Sequence, residues 1–228
     1  MVEGMISTEE KEIGDDRFTD LGNAMKLVNK YGSTIRYASI FGWLMWGNDR
    51  WYRNAQSHID RLCHSLFSGD FKTALMEFVN AGGELRDVKK FATHWHKSRD
   101  AGKLRSMEKL ARSHVEIEPS TLDSDPWLFN CVNGTIDLRT GELREHRSDD
   151  YITKISPVEY KPNAEAPRWN QFLNEVFEPH LELIPYVQKL IGYSMTGEIR
   201  EHVLPVFYGP SGRNGKVTCL PIFGPAEA

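Results

Sequence analysis

Apolar residues along the chain fall first at helical, then at alternating, then again at helical spacing. In TDLGNAMKLVNKYG, Leu21, Met25 and Val28 share one helical face, Thr19 or Asp20 is placed to cap the start, and Gly32 is placed to end it. The following TIRYASIFGWLMWGNDRWYRN is rich in β-branched and aromatic residues and breaks at Gly47, Asn48 and Asp49. That pattern predicts a β-hairpin with Trp43, Trp46 and Trp51 in the core or paired across strands. From Gln56 to Ser113 the spacing is helical: Ile59, Leu62, Cys63 and Leu66, then Leu75, Phe78 and Val79. Gly82-Gly83 interrupts the run, Leu85, Val88, Phe91 and Trp95 resume it, and Leu104, Met107, Leu110 and Ala111 mark its last helix.

Beyond Ser113 the short apolar runs are punctuated by Pro, Asp and Ser, and a Thr140-Gly141 turn separates TIDL from ELRE, which predicts a small β-meander. RWNQFLNEVF and LELIPYVQKLIGYSMTG return to helix, and HVLPVFYG reads as a short buried strand entering a glycine loop. The fold class expected is α+β: a mainly helical body with a β-hairpin and a small β-meander. The expected divisions are a disordered acidic arm at 1–17, an N-terminal domain at 18–165, a helical connector at 166–200, and a last segment at 201–228.

Composition supports a folded chain, with 40% hydrophobic and 11% aromatic residues among 228. No apolar run approaches the ~18 residues a membrane span needs, and the start has no signal-peptide core, so the expected location is cytoplasmic, away from membranes. Three widely spaced cysteines, Cys63, Cys131 and Cys219, argue against a disulfide framework. The formal net charge of −4 conceals an acidic first twenty residues and a basic segment, Glu84 to Ser113, that holds nine Lys or Arg against four acids. This segment is the candidate nucleic-acid surface, with Lys89, Lys90, Arg105 and Lys109 as phosphate contacts and Trp95 as a stacking residue. The competing reading is a solvated helix face whose bases pair with neighbouring acids.

The stretch VFYGPSGRNGKVTC near the end has the ingredients of a phosphate loop: glycines that let backbone N–H groups approach phosphates, and a lysine to meet their charge. Its spacing departs from G-x-x-x-x-G-K-[ST]. Five residues separate Gly209 from Gly215, Val217 stands where the magnesium-side hydroxyl belongs, and Pro221 falls in the second turn of any following helix. A glycine-rich surface turn is the alternative reading.

Several stretches taken together resemble the phage and plasmid primase–helicase family, related to poxvirus primase–helicases, in the region leading into its superfamily 3 helicase domain. They are DRFTDLGNAMKLVNKYGSTIRYASIFGWLMWGNDRW, KLRSMEKLARS, DSDPWLFNCVNGTIDLRTGELREH, YITKISPVEYKPNAEAPRWNQFLNEVF and LIGYSMTGEIREHVLPVFYGPSGRNGK. The block with D-x-x-P-W-L-x-N and N-G-T-x-D-L-R-T-G is the most specific. The likeness covers roughly residues 17–216. It implies that the chain ends in a fragment of a P-loop (AAA-like) ATPase domain, the start of that domain at 201–228, and ATP-driven unwinding of DNA at replication by a hexameric ring of subunits, with ATP and Mg2+ as cofactors. By motif match, Gly209, Gly212, Asn214, Gly215, Lys216 and Thr218 become the nucleotide contacts. The acidic strand, sensor and arginine of such a motor have no counterpart in CLPIFGPAEA, so the chain is expected to be a truncated, non-hydrolytic N-terminal part.

The alternatives are a stand-alone DNA-binding or oligomerisation module and a complete small P-loop enzyme, against which the missing acidic strand speaks. No acidic triad supports priming. His94 and His96, with Cys63-His64 as possible partners, invite a metal reading, but residues at i,i+2 on a helix chelate poorly, so no metal site is expected. The aspartates of DSDPWLF are read as turn formers in preference to catalytic carboxylates.

Overall fold

A computed structural model of the chain describes residues 16–208. Backbone contacts divide it into two units, Met1–Met45 with Arg53–Ile117, and Trp46–Tyr52 with Glu118–Ala228. The described residues form seven α-helices and two three-stranded sheets, of order β1-β2-β3 and β4-β5-β6. None of these helices is long and apolar enough to cross a membrane.

The first unit is mainly helical, with α1 (Asp20–Tyr31), α2 (Gln56–Ser65), α3 (Phe71–Asn80), α4 (Val88–Lys97) and α5 (Ala101–Arg112). Thr19 caps α1 as expected, its Oγ1 accepting from Gly22 N–H at 3.0 Å. The buried face of that helix is rotated from the expected one, with Val28 packing partly buried against the core as expected. It carries Asn23, Ala24 and Leu27, while Leu21 is exposed. Small Ala24 lets α5 pack close, and Asn23 is admitted to the interior because its amide is hydrogen-bonded there. Of the residues expected on the later helical stripes, Ile59, Cys63, Phe91, Trp95, Leu104, Met107 and Ala111 are buried, whereas Val79, Leu85 and Leu110 are exposed. Burying Leu27, Ile59 and Met107 completely stabilises the unit by about 1.5–3 kcal/mol each.

The predicted hairpin contains an additional turn. β1 (Ile35–Ala38) pairs antiparallel with β2 (Gly42–Trp46), Ile35 opposite Met45 and Ala38 opposite Gly42. The chain therefore reverses at 39–41, ahead of the Gly47-Asn48-Asp49 break. Gly42, at φ +71°, supplies the left-handed residue that so short a connection needs.

The second unit contains β3 (Trp51–Tyr52), the meander β4 (Leu128–Cys131), β5 (Gly134–Asp137) and β6 (Glu142–Arg144), and helices α6 (Pro167–Phe177) and α7 (Leu183–Met195). Its polar residues are committed to turns. Asp125 takes the Trp127 N–H at 3.0 Å and the Arg139 guanidinium at 2.7 Å. Although partial burial opposes it, these bonds hold the Asp125 carboxyl below the usual range. Asp123 accepts from Thr153 N–H and hydroxyl at 2.7 and 2.6 Å. Gly134 sits at φ +147°, and a Cβ there would run into the Arg144 carbonyl, which explains the glycine of N-G-T. Asn130 joins four groups: its Nδ2 donates to the carbonyls of Asp49 and Lys154 at 2.9 and 3.0 Å, and its Oδ1 accepts from Thr135 at 3.0 Å and meets His146 Nδ1 at 2.9 Å.

The strand expected at HVLPVFYG is absent. Residues 202–208 have no regular secondary structure, and Val203, Leu204, Val206 and Tyr208 are exposed. A strand exists through its neighbours; among the described residues none pairs with this segment, and Pro205 removes one donor besides. The expected ATPase fragment beyond it lies outside the described residues.

Asn130→Ala will lower unfolding free energy by about 2–3 kcal/mol, because several of its partners are left without hydrogen bonds inside the protein. Asn133→Ala, which removes an exposed pair of bonds to Tyr160, will cost no more than about 1 kcal/mol. Denaturant midpoints of the two variants measure the difference; equal losses would refute the role given to Asn130.

Candidate nucleic-acid interface

Helix α4 separates two chemistries. Phe91 and Trp95 turn into the aromatic core, where Phe91 stacks on Phe78 at 4.6 Å between centroids and Trp95 meets Phe67 at 5.4 Å. Lys89, Lys90, Thr93 and Lys97 lie on the opposite side at i,i+3 and i,i+4 spacing. With Arg86 before the helix, Lys103 of α5 and residues 18–21 at the start of α1, they line an open hollow of about 940 Å³. The lining carries five bases and one acid, Asp20.

Some of these bases are partly compensated. Lys103 Nζ lies 3.1 Å from Asp20, and Lys90 Nζ lies 3.5 Å from Asp87, a buried carboxylate that Arg17 also approaches at 3.7 Å. Arg86 pairs with Glu84 at 2.7 Å, an exposed contact of little energetic weight. Lys89 and Lys97 have no carboxylate within ion-pair distance among the described residues. The solvated-face reading therefore describes part of this surface, and an excess of positive charge remains.

A polar network forms the floor. Asn23 Nδ2 donates to Ser98 Oγ at 2.9 Å, and His94 Nε2 lies 2.9 Å from Asn23 Oδ1 and 3.2 Å from Ser98 Oγ. Asn23 and Ser98 are buried. The imidazole also packs edge-on against Phe18 at 5.8 Å. Burial, and then the charge of Lys26, hold the His94 pKa below its ordinary value; Asp20 pulls against them, and Lys103 adds the smallest downward push. Lys26 is itself shifted down by burial.

The four bases singled out from sequence are not brought to one place. Lys89 and Lys90 line this hollow. Arg105 lines a second one, of about 390 Å³, whose walls include Asp60, Cys63, His64, Arg99 and Glu108. Lys109 is exposed and belongs to neither lining. Trp95, proposed to stack on a base, is buried in the core. Lys97, Lys103 and Arg86 carry the same charge in the same sequence segment, and helical spacing from Lys89 and Lys90 was the signal that groups Lys97 and Arg86 with them. Lys103 is joined to them only through the packing of α5 on α1.

The remaining candidates are engaged otherwise. His96 stacks on Phe71 at 5.4 Å, and His94 is held in the network above. Among the described residues no group of three His, Cys, Asp or Glu is placed to hold a metal ion. Burial, with the nearby Glu108 and Asp60 carboxylates, pushes the Cys63 thiol up to about 12, so it is protonated at neutral pH. The phosphate-loop candidates Gly209, Gly212, Asn214, Gly215, Lys216 and Thr218 lie outside the described residues.

Residues 24–178, more than half of the chain, match the family model described as "D5 N terminal like". No curated protein sequence matches the chain. The matched span takes in α4, α5 and all the basic residues of the hollow.

Because the folded state holds His94 neutral, it binds a proton less readily than the unfolded chain. The associated stability is full above the ordinary imidazole value of 6.5 and is lost as pH falls through the lowered folded value. His94→Gln will therefore flatten the fall in stability between about pH 7 and 5, in proportion to His94's shift. A residual slope will remain from His58, shifted in the same direction by burial and Arg61. Thermal midpoints across that range test this, and an unchanged slope would exclude His94 as the group responsible.

Proposed function

The chain belongs to the D5 N-terminal-like family, the N-terminal region of D5-like primase–helicases of phage, plasmid and virus origin, and on that premise we propose that its helical unit holds nucleic acid for such a replicative enzyme. The observation that carries the reading is the basic hollow: five Lys or Arg from α4, α5 and the turn before α4, facing one opening with a single acid among them. Spaced cations on a rigid helix meet successive phosphates without reading sequence, which is what an enzyme travelling along a strand requires. The phosphate-contact set is accordingly Lys89, Lys90, Lys97, Lys103 and Arg86. Arg105 and Lys109 are given a lesser role, since the hollow that Arg105 lines balances Arg99 and Arg105 with Asp60 and Glu108, and Lys109 lines neither hollow.

The activity proposed for the intact enzyme is ATP-dependent unwinding of DNA during replication by a ring of identical subunits. The nucleotide contacts proposed from sequence are Gly209, Gly212, Asn214, Gly215, Lys216 and Thr218 with ATP and Mg2+. Their support is the glycine–lysine pattern alone.

Binding to a single-stranded oligonucleotide will weaken with salt. In Lys89→Gln/Lys97→Gln the logarithmic salt slope will become shallower by about 0.7 for each phosphate that the variant no longer neutralises. The Arg105→Gln/Lys109→Gln protein will keep a slope closer to that of the parent. Titrations between about 50 and 300 mM salt decide the matter, and an unaltered slope in the first variant would remove the hollow from consideration.

A further inference from the structure

The basic hollow has a candidate occupant within its own chain. Residues 1–16 contain Glu3, Glu9, Glu10, Glu12, Asp15 and Asp16 against the single base Lys11. This arm joins the described structure at Asp16–Phe18, and Phe18, Thr19, Asp20 and Leu21 form one wall of the hollow. The arm therefore starts at the rim. At no more than ~3.6 Å per residue, Glu9 to Asp15 reach up to roughly 30 Å from Phe18, enough to cross a hollow lined by three helices. Charge complements charge: the lining holds five bases and one acid, and Lys89 and Lys97 have no described carboxylate of their own.

We propose that the acidic arm occupies the basic hollow as an intramolecular substitute for nucleic-acid phosphate, so that DNA must displace it in order to bind. The inference rests on the nucleic-acid reading only for its consequence; the contact between arm and hollow stands separately. Tethering gives the carboxylates a local concentration in the millimolar range, which makes a set of individually weak, screened ion pairs an effective competitor. The same weakness leaves the arm displaceable by a polyanion that releases condensed counterions when it binds. The arm thus sets a threshold: isolated anions compete poorly with it, and a continuous strand competes well.

The test is a cycle of full-length proteins: the parent, an arm variant (Glu9→Gln, Glu10→Gln, Glu12→Gln, Asp15→Asn), a hollow variant (Lys89→Gln/Lys97→Gln), and the two combined. Acylation of individual lysines, followed by mass spectrometry without DNA, reads the contact. Lys89 and Lys97 will react several-fold faster in the arm variant than in the parent at about 50 mM salt, whereas exposed Lys109 will not change. Equal rates at Lys89 and Lys97, or an equal rise at Lys109, would overturn the proposal. Affinity for a single-stranded oligonucleotide reads the consequence. The arm variant will bind about tenfold more tightly at about 50 mM salt, with the gain shrinking at about 300 mM and absent in the hollow background. A gain of equal size in both backgrounds would show a general charge effect and overturn competition at the hollow. Lysine protection without DNA binding by any variant would sustain the arm contact and refute the nucleic-acid reading.

Discussion

Glu108 is a carboxylate buried in the helical unit, and the arrangement of that unit follows from keeping it satisfied. A lone buried carboxylate is costly, and the compensation comes from two sides. The Trp43 indole N–H donates to it from β2, and Arg112 donates from one turn further along α5, with Nε at 3.1 Å and Nη2 at 2.9 Å. Arg112 also lies over the Tyr37 ring at 4.9 Å, and Tyr37 packs edge-on against Trp43 at 5.5 Å. Strand, helix and ion pair thus require one another. The rotation of α5 is fixed by this requirement, with Leu104, Met107, Glu108 and Ala111 inward. At about 100° per residue, Lys103 then falls on one flank of the buried stripe and Arg105 and Lys109 on the other. The segment's positive charge is divided by that rotation, and only Lys103 of these three reaches the hollow.

The network of Asn23, His94 and Ser98 performs the corresponding task for α1 and α4. It admits polar groups to the interior only where each has a partner, so it sets the register of the two helices more sharply than apolar contact alone would. The start of α1 is thereby held beside the lysine face of α4. The hollow is a product of two satisfied polar clusters, one of which supplies His94 and Ser98 to its floor; the lysines around it contribute little to holding it open.

Much of this architecture was legible in the sequence. The Thr19 cap, the Gly82-Gly83 break, the Thr140-Gly141 turn and the helical stretches all follow from local rules that act within a few residues. What escaped depends on partners distant in sequence. Of Leu21, Met25 and Val28, Val28 packs against the core, but the buried face of α1 is centred on Ala24 and Leu27, beside Asn23 and its bonds to residues 71 and 75 positions away. The turn at 39–41 lacks a Gly-Asn-Asp signature, whereas the 47–49 break displays one. The strand expected at 202–208 had the right composition, yet a strand's stability lies in neighbours that composition does not reveal. The basic segment was legible as charge, and its division between two hollows was not, because rotation of α5 is decided by Glu108.

The most distinctive stretch of the chain and its candidate interface are in different places, for a physical reason. In D-x-x-P-W-L-x-N and N-G-T, each unusual residue meets a stereochemical demand: Asp125 closes a turn, Asn130 satisfies several backbone and side-chain groups, and Gly134 takes a conformation and a close contact that a side chain would forbid. Such positions permit few substitutes, so they form a pattern that can be recognised. Gly197, whose N–H donates to Pro126 O at 2.7 Å, belongs to the same class. Phosphate contacts impose no comparable demand. Lys or Arg serves at several positions along an exposed helix face, because the field of the group matters more than the placement of any one member. The turns that fix this fold therefore make the recognisable pattern, while the nucleic-acid contact proposed for the basic hollow rests on a charge distribution that leaves almost no motif.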